Sequence, residues 1–126
     1  MSYHTWHEYG YGFCFDNLKK EAIEKIEKHF DWKDIDAYED SYVLGERIAE
    51  ELNFTGDCNG FMSCTDYDNN VYVIYSVGYP WYMTDKDKEM TEQNVENIII
   101  SYMKNQIGIN DFDKNVIGYQ EVENGG

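Results

Sequence analysis

The sequence Val71-Tyr72-Val73-Ile74-Tyr75-Ser76-Val77 is built almost entirely from β-branched and aromatic residues. Such residues favour extended backbone, and an apolar run of this length is typical of a strand buried on both faces or nearly so. A second stretch with strand character covers residues 61–66. The connecting residues Asp66-Tyr67-Asp68-Asn69-Asn70 are rich in Asn and Asp, which tolerate left-handed turn conformations. We therefore expect a β-hairpin over residues 61–78.

Residues 3–15 predict another strand, because large and small side chains alternate along it. Rings fall on one face and small residues on the other: Tyr9, Tyr11, Phe13 and Phe15 against Gly10, Gly12 and Cys14. A strand face made of glycine allows another part of the chain to approach closely. We expect tight packing on that face.

Apolar residues at helical spacing predict three helices. They are expected at residues 18–30, 40–52 and 91–106. Asp16 or Asn17 can cap the first helix, and Asp40 or Ser41 the second. The stretch 53–60 is expected to end the second helix. Gly108 is expected to end the third, as glycine commonly does.

Residues 115–122 predict a last strand, which gives the element order β-α-α-β-β-α-β. Few strands follow one another through single helices, so this order does not favour a doubly wound parallel sheet. We expect an α+β fold with a mostly antiparallel four-stranded sheet and helices packed on one face. A single domain is expected over residues 1–122, followed by a frayed C-terminal tail at residues 123–126.

The chain is strongly acidic. Its 126 residues include 25 acids and 10 bases, and the net charge is −15. Proteins that grip nucleic acid by its phosphates need a basic face, so direct nucleic-acid binding is not expected. Twelve tyrosines raise the aromatic content to 17%, which keeps the composition within the globular class. The charge instead favours a basic partner.

Cysteine usage and hydropathy indicate the compartment. The three cysteines, Cys14, Cys58 and Cys64, are an odd number that cannot all pair within one molecule. The first residues do not form a basic and apolar leader, and no apolar run approaches the ~18 residues of a membrane span. We expect reduced thiols, no membrane association and a location in the cytoplasm.

The excess of acids is concentrated in residues 31–57, which we call the acidic segment. It carries nine acids against Lys33 and Arg47, and Trp32, Tyr38 and Tyr42 are interleaved with the acids. One interpretation is a solvated face that maintains solubility. The other is a contact surface, because aromatic residues are enriched at interfaces. The candidate partner-binding residues are Asp31, Trp32, Asp34, Asp36, Tyr38, Glu39, Asp40, Tyr42, Glu46, Glu50 and Glu51.

The sequence does not carry a motif for catalysis or for a metal site. His4 and His7 lie three apart in a predicted strand and so point to opposite faces. Cys58 and Cys64 lie six apart, outside the intervals of a zinc knuckle. Cys14 with one of the histidines could form a nucleophilic pair, but the sequence offers nothing to position an oxyanion hole. We expect neither enzymatic activity nor a metal or other cofactor.

Small size, strong acidity and many tyrosines over the whole chain resemble the small inhibitors encoded by phages and mobile elements, including anti-CRISPR proteins. The resemblance implies a protein that occupies the nucleic-acid groove of a bacterial defence nuclease, with carboxylates where phosphates would lie. A groove that neutralises phosphates is a preformed host for rigidly held carboxylates.

Other interpretations remain open at this point. An immunity protein for a toxin nuclease would require the same charge complementarity. From a different class, the chain could be a small metal- or ligand-binding domain, or an enzyme that uses Cys14, His4 and His7.

Overall fold

The computed structural model describes residues 5–30, 38–76 and 84–125, with the backbone alone at residues 5–8, 38–42, 124 and 125. These residues form four strands and four α-helices. In chain order they are β1 (Thr5–Cys14), α1 (Lys20–His29), α2 (Tyr38–Gly56), β2 (Phe61–Thr65), β3 (Val71–Tyr75), α3 (Asp85–Lys88), α4 (Glu92–Tyr102) and β4 (Gly118–Gly125).

The four strands form one antiparallel sheet in the order β2-β3-β1-β4. The hairpin is confirmed, since β2 pairs with β3 from Phe61 opposite Tyr75 to Thr65 opposite Val71. β3 lies at an interior position, as its apolar composition predicts. The N-terminal strand β1 lies between β3 and β4, so the two ends of the chain are neighbours in the sheet.

The helices cover one face of this sheet. α2 packs on β2 and β3, and α4 packs on β1. The core between the two layers contains fully buried residues from both, among them Phe13, Val73, Ile48, Leu52 and Ile99. The predicted α+β class, with an antiparallel four-stranded sheet and helices on one face, is confirmed.

The sheet curls strongly over its other face. β2 and β4 are three strands apart, which would separate them by about 14 Å in a flat sheet, yet some of their Cα atoms lie within 8 Å. Cys64, Ile74 and Val122 from three different strands form a second, smaller buried cluster there. The glycine face of β1 permits this curl. A Cβ atom on Gly12 would lie 2.0 Å from the carbonyl oxygen of Val73.

The turn of the hairpin is held by the carboxylate of Asp66. It accepts hydrogen bonds from the backbone N–H groups of Asp68 and Asn70, both at 2.9 Å, and from the hydroxyl of Tyr72 at 3.0 Å. Burial raises the pKa of Asp66, but these hydrogen bonds outweigh it and the net pKa lies below its ordinary value. Asn69 has φ +65°, the left-handed conformation that Asn tolerates.

The helix starts and ends differ from the predicted ones. A 3-10 turn at Phe15–Asn17 replaces the expected cap, and α1 begins only at Lys20. α2 continues to Gly56, because Asn53 does not break it. Instead the Asn53 side chain donates to the carbonyl of Phe61 at 3.0 Å and accepts from its N–H at 2.8 Å, which ties α2 to the start of β2.

The last helix and last strand also shift. After α4 the chain forms a π-helical turn, Met103–Ile107, which Gly108 ends with φ +92°. β4 lies at Gly118–Gly125, not at residues 115–122. Residues 123–125, predicted as a frayed tail, therefore belong to β4, where Glu123 lies opposite His7 and Gly125 opposite Thr5. Pairing with the long strand β1 explains the difference, since β1 offers backbone partners beyond Val122.

Gly12 and Gly118 provide a test of the curl, because they lie directly opposite each other in the β1–β4 ladder. A Cβ on Gly12 would clash with the β3 backbone, whereas a Cβ on Gly118 would meet nothing within 4 Å. We expect Gly12→Ala to lower the free energy of unfolding by at least about 2 kcal/mol through overpacking. Gly118→Ala should change it by less than about 0.5 kcal/mol. Urea denaturation measures both, and equal effects would contradict the close approach.

Candidate functional site

The structure describes the acidic segment in part. Asp31, Trp32, Asp34 and Asp36 lie outside the described residues. The next four candidates belong to the first turns of α2, where only the backbone is described: Tyr38, Glu39, Asp40 and Tyr42. Glu46, Glu50 and Glu51 are described in full and lie in the middle of the same helix.

The described part of α2 has two distinct sides. Leu44, Ile48 and Leu52 are buried against the sheet. The opposite side, which we call the α2 outer face, is formed by exposed residues spaced three or four apart: Val43, Glu46, Arg47, Glu50 and Phe54. A helix presents residues at this spacing on one stripe, so these side chains share one surface.

Phe54 is the most unusual residue on the α2 outer face, because its side chain is 88% exposed. Burying a phenylalanine stabilises by about 1.5–3 kcal/mol relative to leaving it in water. Because the Phe54 ring stays in water, its burial does not contribute to the stability of this fold. Phe54 is absent from the predicted contact residues because the helix was expected to end at residue 52. Continuing the helical spacing from Arg47 and Glu50 would have placed Phe54 on their side.

The electrostatics of the α2 outer face are negative towards its C-terminal end. Glu46 and Glu50 are exposed, and Asp57 is exposed just after the helix. The last turn of α2 carries no basic residue. The C-terminal end of a helix carries partial negative charge, which adds to the field of these carboxylates. Arg47 on the same face offsets one of these charges, so Phe54 is an apolar group in an environment of net negative charge.

Glu51 has a different role from its neighbours. It accepts a hydrogen bond from the hydroxyl of Tyr102 at 2.6 Å, and His29 Nε2 lies 3.0 Å from the same oxygen. Tyr102 is buried, and its pKa is raised by burial and by the bond to Glu51. This group of three residues connects α1, α2 and α4. Glu51 thus holds α2 in place, and its side chain is still partly exposed.

Within the part of the chain whose side chains are described, the candidate residues for catalysis or metal binding are not assembled into a site. Cys14, Cys58 and Cys64 are buried thiols without a disulfide. Burial raises the pKa of Cys14, and that of Cys58 to about 11, so both are protonated at neutral pH and weak nucleophiles. His4 lies outside the described residues, and His7 is described by its backbone alone. Among the described residues, no three His, Cys, Asp or Glu side chains could hold a metal ion.

Asp87 is a buried carboxylate that the sequence analysis did not single out. It accepts hydrogen bonds from the Tyr75 hydroxyl, from Thr84 N at 2.8 Å and Oγ1 at 2.9 Å, and from Asn59 N at 3.1 Å. Thr84 also caps α3 by accepting from the Asp87 N–H. A Thr-x-x-Asp capping pattern was the signal present in the sequence. The network fastens α3 to β3 and to the turn after α2.

Two clefts lie between helices and loops. One of about 530 Å³ lies between α1 and residues 109–116, and both apolar residues, such as Leu18 and Phe112, and charged residues, such as Lys25 and Asp111, line it. The other, of about 260 Å³, lies between the end of α2 and α4 and includes Thr55, Ile98 and Tyr102. Thr55, which lines this second cleft, is the residue that follows Phe54, so the cleft begins beside the α2 outer face. Within the described ranges, no helix has both the length and the apolar character needed to cross a membrane.

Comparison of this chain with protein-family models, with curated proteins and with solved structures finds no match.

Glu51 and Glu50 provide a matched pair that separates structure from contact. Glu51→Ala leaves the buried Tyr102 hydroxyl without its acceptor, so we expect a loss of about 1–3 kcal/mol in the free energy of unfolding. Glu50→Ala alters an exposed side chain and should cost less than about 0.5 kcal/mol. Glu51→Gln keeps an acceptor oxygen and should restore much of the loss. Urea denaturation at neutral pH measures all three, and a neutral Glu51→Ala would contradict the anchoring role.

Asp87 should contribute to the pH dependence of stability. Burial raises its pKa, but the bonds from Tyr75, Thr84 and Asn59 outweigh burial and lower the net value. A carboxyl whose pKa is lower in the folded state stabilises above the ordinary value of about 3.9, and that contribution disappears as the pH falls. We expect Asp87→Asn to be destabilised at pH 7 and to lose less further stability than the wild type between about pH 5 and pH 2. Asp85→Asn, an exposed change in the same helix, should behave like the wild type in thermal melts across this range.

Proposed function

We propose that this chain is a binding protein that inhibits a basic, nucleic-acid-handling bacterial protein, in the manner of anti-CRISPR proteins. The observation that supports this best is Phe54, an 88% exposed ring on a helix face that also presents the carboxylates of Glu46 and Glu50. In this proposal the α2 outer face enters a groove that normally receives nucleic acid. The protein acts in the cytoplasm of the bacterial cell, does not bind nucleic acid itself and catalyses no reaction.

Charge complementarity provides the first argument. A nucleic-acid groove is lined with Lys and Arg that neutralise phosphates. Carboxylates fixed on a helix present negative charge to such a groove without the entropy loss of a flexible acidic tail. With a net charge of −15, the long-range field also accelerates the encounter with a basic surface.

The exposed ring provides the second argument. Interfaces are usually dominated by a few buried aromatic or arginine anchors, surrounded by contacts that exclude water. Phe54 has the character of such an anchor, and Glu46, Glu50 and Asp57 have that of its charged rim. A face that served solubility alone would gain nothing from an exposed phenylalanine.

Preorganisation provides the third argument. α2 is fastened at Glu51 to Tyr102 and His29, and at Asn53 to the start of β2. The outer face is therefore presented by a helix that is held from its buried side. Rigid presentation reduces the conformational cost of binding.

The proposal can be tested against a panel of purified CRISPR effector nucleases and toxin nucleases, by DNA cleavage and by competition with labelled DNA. We expect the wild-type protein to inhibit at least one nuclease and to displace its DNA. Phe54→Ala should weaken inhibition at least about tenfold, as loss of an anchor does. The double reversal Glu46→Lys and Glu50→Lys should slow association, since rim charges steer encounter.

The matched control is the double reversal Glu21→Lys and Glu24→Lys on α1, which changes the net charge equally at exposed positions of another helix. It should inhibit nearly as well as the wild type. Equal loss in both double variants would indicate a non-specific charge effect. Inhibition without displacement of DNA would contradict occupation of the groove, and absence of inhibition across the panel would contradict the proposed function. Reversal of Asp34, Asp36 and Glu39 to lysine tests the other half of the acidic segment.

A further inference from the structure

The larger of the two clefts has no role in the proposed function. It has a volume of about 530 Å³ and lies between α1 and residues 109–116. Small-molecule sites in proteins have volumes of about 300–1,000 Å³, so the cleft is large enough for one. None of the described residues of α2 lines it, so it is separate from the α2 outer face.

The cleft has an apolar surface that the core holds in place. Its apolar lining consists of aliphatic and aromatic side chains: Leu18, Ala22, Ile109, Phe112 and Val116. Ala22 and Ile109 are buried. Phe112 packs edge-on against the fully buried ring of Phe13, with ring centroids 6.1 Å apart. Because this surface exists before a ligand arrives, binding on it requires little ordering of the protein.

Charged side chains of both signs surround the apolar surface. Lys19, Glu21 and Lys25 line the α1 side, and Asp111 and Asp113 line the opposite side. Two lysines and one glutamate give the α1 side a net charge of +1, and two aspartates give the opposite side −2. All five residues are exposed. Within the part of the chain that the structure describes, no ion pair joins any two of them.

Two of these residues make hydrogen bonds, but only to the backbone. Lys25 Nζ donates to the carbonyl of Gly108 at 3.3 Å, and the Asp113 carboxylate accepts from the N–H of Asn115 at 3.0 Å. These bonds restrict the two side chains and do not cancel their charges. The cleft therefore separates positive from negative side chains that have no partner of opposite charge among the described residues.

From this arrangement we infer that the cleft binds a free α-amino acid with a large apolar side chain. Its carboxylate pairs with Lys19 or Lys25, and its ammonium pairs with Asp111 or Asp113. Its side chain lies on the apolar lining. The inference goes beyond the proposed function and does not depend on it.

The charges of the lining argue against a ligand of one sign. A simple anion would meet the two aspartates, and a simple cation would meet the two lysines. Like charges brought together in a contact are destabilising. A ligand that carries both charges finds an opposite charge on each side of the cleft, and the apolar lining adds the burial of its side chain.

The inference can be tested by titrating the full chain with L-phenylalanine and with L-leucine, followed by amide chemical shifts and by calorimetry. We expect both to bind, with shifts at Ala22, Asp111 and Phe112. Three analogues each remove one feature: phenylalaninamide lacks the carboxylate, N-acetyl-phenylalanine lacks the ammonium and glycine lacks the apolar side chain. Each analogue should bind at least about tenfold more weakly than L-phenylalanine.

A pair of double variants separates the cleft from the overall charge. Lys19→Gln with Asp111→Asn removes one charge from each side of the cleft and keeps the net charge at −15. It should lose about tenfold or more in affinity for L-phenylalanine. The matched control, Lys28→Gln with Asp85→Asn, makes the same exchanges at exposed positions outside the cleft and should bind as the wild type does. Circular dichroism confirms that each variant is folded.

Absence of binding by both amino acids would overturn the inference, and so would an equal loss in the two double variants. N-acetyl-phenylalanine resembles the C-terminal residue of a protein, and phenylalaninamide resembles an N-terminal one. If either binds as tightly as L-phenylalanine, the inference is wrong and the cleft is suited to a chain end instead. A nuclease panel that is not inhibited contradicts the proposed function alone, since these titrations use the isolated chain.

Discussion

The close approach of β1 to β3 at Gly12 is the constraint on which the arrangement of the sheet depends. With no side chain on Gly10 or Gly12, the backbone of β3 comes to the distance at which a Cβ would clash. The sheet then curls until its outer strands β2 and β4 approach, and Cys64, Ile74 and Val122 are buried without a covering layer among the described helices. The described helices can therefore lie on the other face. The strand order places β4 at an edge of the described sheet, and its Tyr119 remains exposed.

Tyrosine hydroxyls donate hydrogen bonds to three partly or fully buried carboxylates. Tyr102 donates to Glu51, Tyr72 to Asp66, and Tyr75 to Asp87. Charge-assisted hydrogen bonds of this kind satisfy a carboxylate as a lysine would, but the donor is neutral. The charges of these three carboxylates are thus stabilised by neutral donors and are not cancelled. In this way a chain with 25 acids, 10 bases and 12 tyrosines can fold and still carry a net charge of −15.

Local patterns predicted most of the fold, and long-range contacts account for what they missed. The strand at residues 71–75 and the glycine face of β1 could be predicted from residues that are close together in sequence. Both predictions agree with the structure. The end of α2 could not be derived this way, because the side chain of the helical residue Asn53 is satisfied by two hydrogen bonds to Phe61, a residue of the next strand. Phe54 was missed for the same reason. From the sequence alone, residues 123–125 are predicted as a frayed tail. Their pairing with β1 is a long-range contact that the local pattern does not show.

The predicted contact residues divide according to the side of α2 on which they lie. Glu50 and Glu51 are adjacent residues of the same type, so composition alone cannot distinguish their roles. A helix rotates successive residues by about 100°, so one points outward while the other reaches Tyr102 and His29. The inward glutamate fixes the helix that presents the outward one. An acidic segment can in this way supply its own support and its own contact surface, which a disordered acidic tail cannot do. Binding to a rigid face loses less conformational entropy, so a helix held from its buried side fits the proposed occupation of a basic groove better than a flexible acidic segment would.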